Sequence, residues 1–191
     1  MNPSNSKTIL GGISEKIINF TNFGSKQDDI NEVLFYGGND KEDKKKAGLN
    51  NLFCIYYVIV HASQAIDICM PSLNSDTISK CLINVHRKKL AKVRIIVHDS
   101  DGLNSLKCIV DAGVEVKVIN PEVKLEHEFI LVDAEHEVAV AIIGSLDYEI
   151  KRVNCNNDNT LITSEATLIL ALKREFERIW NTVEFNSKVY S

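Results

Sequence analysis

Between Val33 and Ile179 the chain alternates short β-branched runs with segments whose apolar residues recur at helical spacing, and few folds accommodate that rhythm. Val33–Tyr36, Ala65–Met70, Val93–His98 and Val114–Ile119 read as strands. From Ser75, the residues Ile78, Cys81, Leu82 and Val85 mark one helix face, and His86-Arg87-Lys88-Lys89 falls in its last turn, where cations oppose the helix dipole. Leu103, Leu106, Ile109 and Val110 mark a second helix, capped by Asp99-Ser100-Asp101 and stopped at Gly113. Glu126–Val132 and Val138–Ile143 form a strand pair, and Ser164 starts a last helix with the face Leu168, Leu172, Phe176 and Ile179. Ala47–Ser63 reads as a buried helix, although its β-branched residues keep a strand reading open. The expected fold class is α/β, an α/β/α sandwich around a mixed, mostly parallel sheet.

Composition narrows the class of molecule. The 191 residues suit one domain, with 45% hydrophobic and 25% charged residues as in ordinary globular proteins. A net charge of -4 argues against a general nucleic-acid binder, since phosphate affinity needs clustered Lys and Arg. The cysteines at 54, 69, 81, 108 and 155 form no C-x-x-C pair; four lie in apolar runs and read as buried small hydrophobes. Their odd count, with no signal peptide, points to a reducing compartment and a cytoplasmic protein. The longest apolar run, Leu52–Val60, is half of a membrane span. Upstream, Ile9, Ile13, Ile17 and Phe20 recur at helical spacing and predict an amphipathic helix. The boundaries read as a 1–31 extension, a 32–185 domain and a 186–191 tail.

Three short segments carry the functional signal: Glu126-His127-Glu128 with Asp133, Gly144-Ser145-Leu146-Asp147-Tyr148, and Asn156-Asn157-Asp158-Asn159-Thr160-Leu161-Ile162. In order and spacing they resemble the H-x-K-x4-D, G-S-x-N and N-x-(D/E)-N-x-L-I motifs of the phospholipase D superfamily. Over residues 32–185 the likeness is strongest to its small single-motif group, the mitochondrial cardiolipin hydrolases and the Zucchini nucleases of the piRNA pathway. The interval from Asp133 to Gly144 is a few residues longer than usual and fits a hairpin tip. The resemblance implies a histidine that attacks phosphorus and a lysine that holds a phosphate oxygen. Glu126 and Glu128 stand at those positions. It also implies that Ser145 supplies a phosphate-binding hydroxyl and that Asp158 orients the histidine. Asp147 replaces a neutral asparagine. Asp133 keeps the motif's acid and can serve the fold by accepting hydrogen bonds.

Alternation along a strand sets Glu126 and Glu128 on one face and His127 on the other. His127 is therefore no substitute nucleophile, and His136 falls in the hairpin insertion. Two carboxylates about 5 Å apart repel by ~3 kcal/mol at an effective dielectric near 20, and a phosphodiester meets the same sign. A pseudoenzyme is expected: a binding, scaffold or regulatory module in a piRNA or mitochondrial-surface setting, with no catalytic residues and no cofactor. No metal is expected either, although Glu126 and Glu128 would be the oxygen ligands for Mg²⁺ or Ca²⁺. The alternative is a phosphodiesterase, acting on RNA or cardiolipin, with rearranged or partner-supplied residues. The resemblance also implies a homodimer whose motifs face across a two-fold axis. A heterodimer with an active, basic paralogue would complement the glutamates. The resembling group carries an N-terminal membrane anchor, so either one precedes this sequence or the protein is soluble.

Overall fold

The computed structural model describes residues 29–37, 42–98, 103–119, 124–144, 148–150, 153 and 155–182. The described residues form a seven-stranded sheet of β1 (Asn31–Phe35), β2 (Ala65–Met70), β3 (Lys92–His98), β4 (Glu115–Ile119), β5 (Phe129–Val132), β6 (Val140–Gly144) and β7 (Asn159–Thr163). Its spatial order is β1-β7-β6-β5-β2-β3-β4. Helices α1 (Glu42–Val60), α2 (Asp76–Arg87), α3 (Leu103–Asp111) and α4 (Ala166–Thr182) flank it.

The β2-α2-β3-α3-β4 run is a pair of crossover units, and its strands are parallel. The remaining neighbours, β1·β7, β7·β6, β6·β5 and β5·β2, are antiparallel. The sandwich and the mixed sheet agree with the sequence reading, but the expected predominance of parallel pairing is corrected. The reason is local: only two of the inter-strand connections carry a crossover helix between neighbours, while β5 and β6 are joined by a hairpin, which forces opposite directions.

Side-chain alternation splits the core into two layers. Leu52, Ile55 and Ile59 of α1, Ile78, Leu82 and Val85 of α2, and Ile109 of α3 pack on Ile66, Ile68, Ile95, Ile130 and Ile142. Phe176, Ile179 and Trp180 of α4 pack on the intervening residues Cys69, Ile96, Phe129, Leu131 and Ala141. β5, Phe-Ile-Leu-Val, is thus buried on both faces. Among the described residues, three helices cover one face and a single helix the other. Among the described residues, the α4-side apolar cluster includes none from β1 or β7, and Val33 (47%) and Phe35 (71%) stay exposed on the edge strand.

Several boundaries move. α1 begins at Glu42, five residues ahead of the expected Ala47, so Lys44-Lys45-Lys46 belong to the helix. Ser75 caps α2 as expected, its hydroxyl accepting from the Ile78 N–H. The last helix is capped differently: the Glu165 carboxylate accepts from Thr167 and Leu168, while Ser164 turns away to accept the Ile30 N–H. Burial pulls the α4 face to Ile169, Phe176, Ile179 and Trp180, leaving Leu168 and Leu172 half-buried. Cys54 and Cys69 are buried, but Cys108 is exposed against expectation, because Ile109 takes the inward position of α3. No helix of the described residues is long and apolar enough to cross a membrane. The amphipathic pattern of Ile9, Ile13, Ile17 and Phe20, and the cap Asp99-Ser100-Asp101, lie outside the described residues.

Candidate functional site

Glu126, His127 and Glu128 lie just ahead of β5 rather than within it, because β5 begins at Phe129. Register still governs Glu128. Its carbonyl accepts the Gly144 N–H at 3.2 Å, extending the β5·β6 pairing by one bond. Gly144 in turn pairs with Thr160 of β7, and Thr160 with Leu34 of β1. One residue further out, the Tyr36 N–H donates to the Asp158 carbonyl at 2.9 Å. Glu128, Gly144, Asp158 and Tyr36 therefore form a row across one end of the sheet.

Two glycines make this row possible. Gly144 has φ +145°, and a Cβ there would lie 2.4 Å from the Asn159 carbonyl oxygen. Gly37 has φ +79°, and its Cβ would meet the Asn156 carbonyl oxygen at 2.1 Å. Both contacts are backbone, so neither neighbour can yield.

The side chains of the row are acidic above and phenolic below. The Glu128 carboxylate is half-buried and makes no hydrogen bond or ion pair with the described residues. Burial, then Asp158, then Glu126 push its pKa above the usual carboxylate value. Glu126 is exposed and paired with Lys124, a cation two residues upstream. Beneath them Tyr36 (3% exposed), Tyr148 (5%) and Thr160 (0%) are buried, and none of their hydroxyls closes a hydrogen bond. Burial raises the Tyr148 phenol, as do the neighbouring Tyr36 and Glu128. Burial raises Tyr36 as well; the Thr160 hydroxyl works against this without closing a bond, and the Asp158 charge adds to it. Tyr148 is fixed from behind, its carbonyl accepting the hydroxyls of Tyr56 on α1 and of Ser75 at the α2 N-cap.

The other motif residues go elsewhere. His127 points to the α4 side, where Nε2 meets the Glu175 carboxylate at 3.0 Å and the ring tilts against Phe129. His136 is exposed in the β5–β6 connection. Asp133 sits at the far end of β5, about 17 Å of extended chain from Glu128. The grouping of Asp133 with the site is corrected by this. A strand cannot return its two ends to one place, and this acid serves the fold. At φ 51° it accepts from Ser63 N–H and Oγ and from the Gln64 and Ala65 N–H groups, all within 2.8–3.0 Å. Ser145 and Asp147 lie outside the described residues. Among the described residues no three His, Cys, Asp or Glu side chains converge as a metal shell. Glu126 and Glu128, the candidate ligands, have Asp158 as an acidic neighbour among the described residues.

Sequence reasoning missed the phenolic floor. Tyr148 was visible only as an aromatic after the second motif, and Tyr36 only as the end of a strand. The signal lay in the spacing, because the strand-end Tyr36 and the Asp158 row meet through β1·β7 pairing that spans most of the chain.

A family model described as cardiolipin synthase, PLD-like domain, matches residues 55–180. The chain is 26% identical over 137 residues to a mitochondrial cardiolipin hydrolase of Xenopus laevis, covering 70% of this chain and 61% of that relative. To the human mitochondrial cardiolipin hydrolase it is 26% identical over 136 residues, covering 70% and 51%. It thus spans little more than half the length of these relatives. NucT from Helicobacter pylori superposes with a TM-score of 0.62 at 16% identity, over 81% of this chain and 97% of that one. The phospholipase D family member Nuc from Salmonella typhimurium gives 0.61 at 15%, over 81% and 95%. At such identities the structures speak for the fold alone.

Proposed function

The chain belongs to the PLD-like domain family, and on that premise we propose that it is a non-catalytic member, a binding or regulatory module that uses the Glu128 end of the sheet. One observation carries the reading. Where the resemblance expects a histidine and a lysine, the chain has Glu126 and Glu128, and the nearest histidine, His127, is turned to the other side and engaged by Glu175. Attack on phosphorus needs a nucleophile and cationic stabilisation of the developing charge. Glu128, Glu126 and Asp158 supply the opposite field.

The relatives are named mitochondrial, so a mitochondrial surface is the proposed setting. Association is proposed through the same end of the sheet, with a second copy or with a basic, active paralogue. Cleavage of fluorescent single-stranded RNA, single-stranded DNA and cardiolipin vesicles, with Mg²⁺ and with chelator, tests the central point. No turnover above buffer is expected. Turnover that vanishes in Glu128→Gln would establish a carboxylate-dependent phosphodiesterase instead, the reading favoured by the hydrolase names of the relatives.

A further inference from the structure

We propose that the Glu128 end of the sheet is a receptor for a cationic side chain, an arginine in the first instance, presented by a protein partner. The proposal deepens the non-catalytic reading of this site and rests on it. Its first support is an imbalance. A half-buried carboxylate is held beside a second acid, and among the described residues none supplies it with a partner or a compensating charge. Retaining such a group unpaired is unfavourable, so a cation that docks there relieves a penalty as well as forming a bond.

The second support is independent of the charge. The hydroxyls of Tyr36, Tyr148 and Thr160 are buried, unpartnered and adjacent to the carboxylates. Native interiors rarely leave such groups unsatisfied, and three together mark an incomplete polar network. A hydroxyl rotor can turn its lone pairs toward an arriving N–H donor. A guanidinium has five donors in a planar fork, enough for one carboxylate and a neighbouring oxygen at once. Calcium is a poorer occupant, because no three-ligand group of the described residues converges and calcium needs six or more oxygens.

A protein, rather than a free amine, fits the surroundings. Phe53 on α1, edge-on to Tyr56, is 52% exposed. Tyr56 holds the Tyr148 carbonyl, so this exposed ring is coupled to the buried floor of the site. A charged anchor with an aromatic contact close by is a usual layout of a protein hot spot.

The test is a titration of ¹⁵N-labelled full chain with a blocked Phe-Arg-Phe peptide, its citrulline counterpart, spermidine and inorganic phosphate. The arginine peptide should shift amides around Tyr36, Glu128, Gly144 and Thr160. Affinity should fall at least about tenfold for the citrulline peptide and for Glu128→Gln, the loss expected of one charged hydrogen bond. Tyr148→Phe, which keeps the ring, should weaken binding by a smaller factor while leaving the spectrum folded. Equal binding of citrulline, unchanged affinity in Glu128→Gln, or shifts confined to another surface would overturn the proposal. Spermidine binding as tightly as the peptide would overturn the assignment to a protein partner, and phosphate shifting the same amides would reverse the sign of the site. Cleavage of a phosphodiester alongside normal peptide binding would remove only the non-catalytic reading, so the two failures separate.

Discussion

Two groups of acids occupy opposite faces of one sheet, and they are treated in opposite ways. On the α4 side, Asp67 of β2 is buried but receives Arg94 through both oxygens, at 2.7 and 2.9 Å, and Lys173 at 2.7 Å. Glu177 closes the group by accepting from Arg94 at 2.6 Å and pairing with Lys173 at 3.1 Å. The guanidinium also lies over the rings of Phe176 and Trp180, at 4.8 and 5.2 Å. Burial disfavours both cations, yet their carboxylate partners outweigh it and hold them protonated. On the other face, Glu128 has no such partner among the described residues. The fold can neutralise buried charge, and does so where α4 must be docked. Its failure to do so at Glu128 is therefore informative, since charge left uncompensated is what a binding surface requires and a core avoids.

The comparison breaks first at Asp67. Asp67→Ala leaves Arg94 and Lys173 without their buried counter-charge, and a loss of about 3–5 kcal/mol is expected in urea unfolding. A loss below about 1 kcal/mol would mean that the cluster is no better compensated than Glu128. Asp133→Ala should follow, at about 2–3 kcal/mol, because it strands the Ser63, Gln64 and Ala65 donors. That result would separate the motif's structural acid from its glutamates. A change within a few tenths of a kcal/mol would show that water replaces the carboxylate.

Glu128→Gln should have the opposite sign. Burial, Asp158 and Glu126 raise the Glu128 carboxyl, so the folded state keeps its proton to higher pH than the unfolded chain does. Stability then falls as pH rises from the ordinary glutamate value through the raised one, and stays lower above it. The substitution removes that loss, a few tenths of a kcal/mol after allowance for the group's exposure. Equal stability of the two proteins at acid pH, and a gain for the variant only at neutral pH, is the expected pattern. Glu177 behaves in reverse. Arg94 first, then Lys173, against the effect of burial, depress its carboxyl, so its contribution is present at neutral pH and fades as pH drops through the depressed value. Glu177→Gln should therefore destabilise at pH 7 and matter little in acid. The smallest effect is expected for His127→Ala, under about 0.5 kcal/mol, since both it and Glu175 retain access to solvent.

What could be read from the sequence follows from how local each signal is. β5 and β6 were legible because a short apolar run and a hairpin are properties of adjacent residues. The orientation of Glu128 against His127 comes from the two-residue period. The Asp67 cluster was not legible, because its members are 27 and 106 residues apart and meet only after α4 crosses the sheet. A hint existed: Asp67 interrupts Ala-Ile-Asp-Ile-Cys-Met, Arg94 interrupts Lys-Val-Arg-Ile-Ile-Val, and Lys173 takes a buried position on α4. Three polar intrusions of matching charge in otherwise apolar patterns predict one another. The sense of strand pairing was misjudged because periodicity reports which face a residue occupies and says nothing about which strand lies beside it. The Lys124–Glu126 pair lies partly ahead of the motif, and a lone lysine in a polar stretch carries no pattern that predicts its partner.

The pairing of β1 with β7 has a consequence for how the chain is made. Asn31 lies opposite Thr163, so this edge of the sheet cannot close until most of the chain has left the ribosome. The crossover units β2-α2-β3-α3-β4 can assemble earlier from neighbours in sequence. The row of Tyr36, Asp158, Gly144 and Glu128 includes the late edge, so this end of the sheet is completed only once β1 and β7 pair. A truncated or stalled product can thus own much of the sheet, with Glu128 already paired to Gly144, and still lack Tyr36 beside Asp158.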